Sequence, residues 1–164
     1  CCYSRPETGN HILIGSEDPE CDERIYVDPD NWDDNFTDQW NTQLYRQAQR
    51  YPNLPLSSKV KGVVSLYDVS DDWIPIYDKS DLPGFYMAIG SSGNQYKNAP
   101  IAGVMMTKLI EACENGQNHD KESVKLDLKY INREIDIGFY SRNRTINSES
   151  SMSCLLYTSD AADE

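Results

Sequence analysis

The residues of this 164-residue chain that are best suited to chemistry lie between Gly84 and Gly103. Gly90 and Gly93 enclose two serines, and Lys97 follows four residues later. Glycine allows the backbone to adopt positive φ or to approach a bulky group closely. A lysine at the same place adds a full positive charge, so this spacing predicts a contact with an electron-rich or anionic ligand.

The elements around these residues are predicted to be a strand, a turn and a helix. The apolar run 85–89 has no helical period and is typical of a buried strand. Pro100 suits a first helical turn and Asn98 suits an N-cap, with the helix continuing to about Glu114. The N–H groups and the positive dipole end of that helix would then face whatever the turn holds.

The chain as a whole has the pattern of an α+β fold. Another helix is predicted from the N-cap Thr37 to about Arg50, because apolar residues recur there at every fourth position. The acidic segment 17–35 is predicted to be mostly loop. A first hairpin and a second antiparallel pair are included among the predicted strands, which are 3–9 with 11–15, 61–67, 73–77 with 84–89, and 134–138.

The strand, glycine turn, lysine and helix resemble the last flavin-contacting element of the FAD-dependent amine oxidoreductases, the D-amino-acid-oxidase superfamily. The family pattern is Gly-Phe-Ser-Gly-His-Gly-Phe-Lys, and residues 90–97 here read Gly-Ser-Ser-Gly-Asn-Gln-Tyr-Lys. Residues 3–15 resemble a hairpin of the family's substrate-binding sheet, and residues 65–78 resemble the strand–turn–strand before the glycine loop. Because the three motifs keep the family's order, we identify the resemblance over residues 3–150, in the branch of sarcosine oxidase and glycine oxidase.

The resemblance implies a partial FAD-dependent oxidoreductase fold. Antiparallel strands of the substrate domain would be joined to the C-terminal strand–loop–helix of the FAD domain, within residues 1–152. Residues 153–164 resemble translated adapter sequence and are interpreted as a non-native tail. No Gly-x-Gly-x-x-Gly unit occurs in the sequence, so we interpret the chain as a C-terminal fragment that is inactive by itself.

The resemblance also implies the activity and its residues. The reaction would be oxidation of the C–N bond of an amine or an N-methyl or secondary amino acid, by hydride transfer to flavin. Lys97 would hold the flavin N1–C2=O edge or the substrate carboxylate, and Arg5 is a second candidate for the carboxylate. Ser65 stands where some sarcosine oxidases carry a linking cysteine, which implies noncovalent FAD. The implied flavin contacts are Leu66, Gly90, Ser92, Gly93, Asn94, Gln95, Tyr96 and Lys97.

Other interpretations stay open at the level of sequence. The chain could be a noncatalytic interaction module, or part of a dehydrogenase subunit that passes electrons to a partner complex rather than to oxygen. Lys97 could be an ordinary solvated lysine. Arg5 could form an ion pair with Glu7 or Asp22 instead of binding substrate.

Composition excludes several classes of partner. With 15 basic and 27 acidic residues the formal net charge is −12, which opposes binding to nucleic acid or to anionic membranes. No apolar run is long enough to span a bilayer. The five cysteines lack CxxC spacing and are interpreted as free thiols, which favours a cytoplasmic location. The acidic run 28–35 lacks the glycine and the final glutamate of a calcium loop, and His11 and His119 lack partners at metal spacing, so no metal is predicted.

Overall fold

A computed structural model describes residues 2–16, 25–55, 60–93 and 95–147 of the chain. The chain divides into two compact units, Cys1–Leu66 and Tyr67–Glu164. Helices and short antiparallel sheets occur in the described residues, which confirms the predicted mixture of α and β structure. Within those residues, no helix is both long enough and apolar enough to cross a membrane.

The first unit begins with the predicted hairpin. Strand β1 (Cys2–Glu7) pairs antiparallel with strand β2 (His11–Ser16). The connecting turn places Gly9 at φ +73° and Asn10 at φ +60°. Two consecutive positive φ values are typical of the tight turns that match the twist of a hairpin, and glycine and asparagine are the residues that tolerate them.

The predicted first helix is confirmed and is slightly shorter than expected. Helix α1 (Asp38–Ala48) begins at Thr37, whose hydroxyl accepts a hydrogen bond of 3.1 Å from the Trp40 N–H. This is the side-chain cap that the sequence predicted. Phe36 stacks on Trp40 with 4.2 Å between the ring centroids. The buried face of the helix consists of Gln43, Leu44, Gln47 and Ala48.

The strand predicted over residues 61–67 is wrong. The chain from 60 to 69 has no regular secondary structure, and the Val63 side chain is 84% exposed. A strand is stabilised by pairing with another strand, and no neighbour pairs with this segment among the described residues. Its valine-rich composition is therefore not sufficient to form a strand.

The second unit contains the predicted antiparallel pair. Strand β3 (Ile76–Lys79) pairs with strand β4 (Tyr86–Ile89), which confirms the pairing, but β3 begins three residues and β4 two residues later than predicted. A 3₁₀ turn, Tyr96–Asn98, then leads directly into helix α2 (Ala99–Glu114), as the glycine–lysine–proline pattern predicted. The helix ends at the predicted Asn115-Gly116 stop, where Gly116 adopts φ +91°.

The core of the second unit lies between α2, β3 and the C-terminal part of the chain. Strand β5 (Lys125–Leu128) was not predicted, and it pairs with β6 (Arg133–Asp136), which confirms the predicted last strand. A 3₁₀ turn, Ile137–Tyr140, follows and returns the chain to the core. The buried core residues are Tyr77, Met105, Leu109, Cys113, Val124 and Ile137.

Candidate functional site

The segment 90–97, here called the glycine loop, connects β4 to α2 with an unusual backbone. Gly90, Ser92 and Gly93 all have positive φ, at +68°, +49° and +71°. A Cβ atom at Gly93 would lie 2.8 Å from Cζ of the Tyr67 ring. The positive φ therefore favours glycine at position 93, and a larger residue would also have to displace the half-exposed Tyr67 ring.

Asp68 holds the first half of the glycine loop. Its carboxylate accepts a 2.9 Å hydrogen bond from the Ser91 N–H and another from the Ser91 hydroxyl. Its carbonyl accepts a 3.0 Å bond from the Ser92 N–H. Burial alone would raise the pKa of Asp68, but the donors from Ser91 hold it below its ordinary value. Ser92, one of the implied flavin contacts, thus already uses its N–H within the chain.

The side chains of Ser92 and Gln95 face the protein. Ser92 is fully buried, and its hydroxyl donates to the Gly90 carbonyl at 3.2 Å. The Gln95 Oε1 atom accepts hydrogen bonds from the Tyr77 hydroxyl at 3.0 Å and from the Asn98 amide at 3.2 Å. These two predicted flavin contacts therefore shape the loop through their side chains. Asn94 lies outside the described residues.

Lys97 and Tyr96 form the exposed end of the loop. Tyr96 is 99% exposed, and Lys97 is exposed as well. Among the residues that the structure describes, no carboxylate or other acceptor pairs with the Lys97 ammonium. The Asn98 side chain does not cap α2, and the first turn of the helix carries no acidic residue. Backbone carbonyls of the 3₁₀ turn accept the Asn98 and Ala99 N–H groups, but no described side chain offsets the positive charge of Lys97 beside the start of the helix.

Arg5 and Leu66 belong to the first unit, whereas the glycine loop belongs to the second. Arg5 lies on β1, where its Nη1 forms a 2.7 Å ion pair with Glu7. The Thr8 N–H and, after it, the charge of Arg5 lower the pKa of Glu7. Arg5 thus makes one of the ion pairs considered from the sequence. Leu66 is 37% exposed.

The end of the glycine loop fits the cofactor that the family resemblance implies. The ammonium of Lys97 has no described partner, and the 16-residue helix α2 has no side-chain cap at its N-terminus. Together they suit an anionic or electron-rich edge, such as the N1–C2=O edge of a flavin. Lys97 is the side chain that would hold this edge. Gly93, which has no side chain, allows the loop backbone to pack directly against the Tyr67 ring.

A second polar cluster, which sequence reasoning missed, surrounds the buried carboxylate of Asp78. The Arg142 N–H and guanidinium donate to Asp78 Oδ2 at 2.8 and 3.0 Å, and His119 Nε2 lies 2.7 Å from Oδ1. Arg142 also donates to Asp81 and Asp120. Burial raises the pKa of Asp78, but the Arg142 donors outweigh it and hold the pKa below its ordinary value.

Three of these side chains have the chemistry of metal ligands. One oxygen each from Asp78 and Asp120 and a nitrogen of His119 lie within 4.8 Å of one another. The guanidinium of Arg142 donates to both carboxylates at 3.0 Å. It already supplies the positive charge that a cation would bring, so this cluster is built as an ion-pair network.

A third polar contact joins Arg144 to Asp72, which is completely buried. The Arg144 Nε and Nη2 atoms donate to the two carboxylate oxygens at 2.9 and 2.6 Å. This bidentate hydrogen bonding is the main reason that the pKa of Asp72 falls to about 2. The partners are 72 residues apart, so only the acidic and basic composition of the two segments could have suggested the pair.

Comparison with known proteins gives a match that covers residues 1–109. A family model described as FAD dependent oxidoreductase matches this range, which includes the first two antiparallel strand pairs, the glycine loop and most of α2. No curated protein and no solved structure gives a significant match. The sarcosine oxidase and glycine oxidase branch stays a prediction, since the match concerns the family as a whole. Because the matched residues make up more than half of the sequence, the chain belongs to the FAD dependent oxidoreductase family.

Proposed function

We propose that the protein oxidises the C–N bond of an amine, with an N-methyl or secondary amino acid as the substrate class. The observation that carries the proposal is the unpaired, exposed ammonium of Lys97 beside the uncapped N-terminus of α2. FAD, when bound noncovalently, would supply the hydride-accepting chemistry that this oxidation needs.

The position of Lys97 is unfavourable unless an anion comes to it. A lysine at a helix N-terminus meets a dipole of the same sign, which costs roughly 0.3–1 kcal/mol at an exposed site. An anionic cofactor edge or a substrate carboxylate reverses this cost, because both the lysine and the helix then attract it. Lys97 therefore serves to hold one of these two anions.

The other predicted site residues have supporting roles in the proposal. Gly90 and Gly93 set the course of the backbone, and Tyr96 presents an exposed ring beside Lys97. The buried hydroxyl of Ser92 and the amide of Gln95 hold the loop from within. Arg5 is proposed as a second carboxylate contact that would exchange its ion pair with Glu7 for the substrate. The partners of the reaction are the amine substrate and an electron acceptor, either oxygen or a protein.

The replacement Lys97→Met tests the proposal in the full-length protein. It keeps most of the side-chain volume and removes the charge, so we expect a loss of transition-state stabilisation of about 2–4 kcal/mol if the charge acts on the reacting groups. The rate of flavin reduction by a secondary amine is measured by stopped-flow absorbance. Lys108→Met, at an exposed position of the same helix, is the matched control and should keep the parent rate.

The pattern of kinetic changes assigns the anion. An equal fall in kcat and kcat/KM places Lys97 on the cofactor edge, whereas a raised KM at constant kcat places it on the substrate carboxylate. Thermal unfolding should be unchanged, because no described contact of the ammonium is lost. Unchanged kinetics with a lower melting temperature would make Lys97 structural and overturn the proposal, as would a full-length protein that takes up no FAD.

A further inference from the structure

The turn that precedes β3 has a strained backbone. Trp73 adopts φ +60°, in the left-handed region that a bulky side chain rarely enters, and its N–H donates to the Ser70 carbonyl at 3.2 Å. Such a residue costs roughly 1–3 kcal/mol and persists only where its surroundings hold it. We call residues 70–75 the floor turn.

Arg144 holds the floor turn from the C-terminal side. Besides its two bonds to Asp72, its Nη2 donates to the Ile74 carbonyl at 2.8 Å. Asp72 Oδ1 in turn accepts the Ile74 N–H at 3.2 Å. The two residues on either side of the strained Trp73 are therefore both tied to one guanidinium, whose side chain is only 8% exposed. A planar group with several fixed donors is suited to this task in a way that a lysine is not.

The floor turn lies directly against the first half of the glycine loop. The Ser70 N–H points to the Ser92 hydroxyl at 3.4 Å, and the Ser70 hydroxyl donates to the Ile74 carbonyl at 2.7 Å. Gly90 also packs on the turn, since a Cβ atom there would lie 3.4 Å from the Ser70 Cβ and 3.9 Å from the Pro75 Cα. Arg144 and Ser70 thus meet on the same carbonyl, and Ser70 contacts the loop.

We propose that Arg144 is a positioning residue for the glycine loop, acting through the floor turn on Gly90 and Ser92. The role rests on the proposed function, in which this loop contacts the cofactor. Arg144 lies outside the residues 1–109 matched by the family model. The C-terminal part of the second unit therefore sets the shape of a loop that precedes it by about fifty residues in the sequence.

Amide hydrogen exchange of the chain without FAD tests the positioning role separately from cofactor binding. In Arg144→Met the amides of Ser70 and Ser92 should exchange about tenfold faster relative to the core amide of Leu109, because the loop opens locally before the unit unfolds. Arg142→Met is the matched control, since the Arg142 guanidinium donates to Asp78, Asp81 and Asp120 and has no described bond to residues 70–75. The control should change the Ser92 amide no more than the Leu109 amide.

A second variant covers the case in which Arg144→Met does not fold. Arg144→Lys keeps the charge but cannot make the bidentate contact with Asp72. We therefore expect the same local increase in the exchange rates of the Ser70 and Ser92 amides, with a smaller loss of stability. Equal acceleration at Ser92 and Leu109 in the folded variants, or none at either, would overturn the positioning role. In the full-length protein, weaker FAD binding by titration in Arg144→Lys, with protection at Ser92 restored by saturating FAD, is the supporting result. Parent-level FAD affinity in spite of faster exchange at Ser92 would overturn the link to the cofactor and leave the amine-oxidation proposal to the Lys97 experiment.

Discussion

The glycine loop and the C-terminal arginine segment, residues 141–147, treat positive charge in opposite ways. Lys97 of the loop is exposed and has no acceptor among the described residues. Arg142 and Arg144 are largely buried, and their guanidinium groups are surrounded by carboxylates and carbonyls. Within the described part of this unit, the Lys97 ammonium therefore has no acceptor, whereas both arginines are paired with carboxylates.

The difference in burial determines whether a cation can bind a ligand or is used to hold the backbone. A buried cation must be paired because its removal from water costs several kcal/mol, and a paired arginine is then unavailable to a ligand. An exposed ammonium keeps its hydration and can exchange water for an incoming anion at little cost. In the proposed function the loop offers its charge to a ligand, whereas Arg144 of the arginine segment uses its charge to hold Asp72 and the Ile74 carbonyl.

Breaking the buried pair should have the largest effect on stability. Asp72→Asn leaves Arg144 without its charge partner, so we expect the free energy of unfolding to fall by about 3–5 kcal/mol. Urea denaturation followed by circular dichroism measures the loss. Asp71→Asn, at the exposed neighbouring position, should change it by less than about 0.5 kcal/mol. A loss below about 1 kcal/mol in Asp72→Asn would show that the pair does not hold the turn.

The same pair should appear in the acid stability of the protein. The pKa of Asp72 is about 2 in the folded chain, against an ordinary value of 3.8. A lowered folded pKa means that the stabilisation is complete above about pH 4 and is lost as the pH falls towards 2, by about 2 kcal/mol in total. Between pH 5 and pH 2 the free energy of unfolding should fall more steeply with decreasing pH for the parent than for Asp72→Asn. The reason is that only the parent takes up a proton at this site on unfolding. Parallel curves would contradict the lowered pKa.

A smaller effect on stability should distinguish Gly93 of the glycine loop from Gly103 of helix α2. Gly93→Ala places a Cβ against Tyr67 at positive φ, and we expect a loss of about 1–2 kcal/mol. Gly103 lies within α2, and nothing lies within 4 Å of a Cβ there, so Gly103→Ala should stabilise by about 0.5–1 kcal/mol. The two melting temperatures should move in opposite directions. A shift of the same sign in both variants would show that positive φ and the Tyr67 ring do not disfavour a Cβ at position 93.

Local sequence patterns were sufficient for most of the elements. The cap at Thr37, the glycine–asparagine turn of the first hairpin and the proline at the start of α2 act within a few residues, so they are readable without knowledge of the fold. The strand β5 also has a signal in the sequence, because polar and apolar residues alternate in Lys125-Leu126-Asp127-Leu128.

The remaining features depend on partners that are distant in the sequence. Residues 61–67 have a strand-like composition, but strand formation needs a neighbour, and none of the described segments supplies one. In the candidate site, the positions of Gly93 and Lys97 followed from the turn and helix pattern. The burial of Ser92, the use of its N–H by Asp68 and the contacts of Arg144 did not, because each joins segments more than twenty residues apart.

The separation of Asp72 and Arg144 has a consequence for synthesis of the chain. A ribosome releases Asp72 seventy-two residues before its partner, so the strained turn emerges without the group that holds it. At typical rates of roughly 5–20 residues per second, this interval lasts several seconds. During that time β3, β4 and α2 can form from contacts nearer in sequence, while the carboxylate of Asp72 stays hydrated. In the positioning role proposed for Arg144, the glycine loop therefore reaches its final shape only after Arg144 has been synthesised.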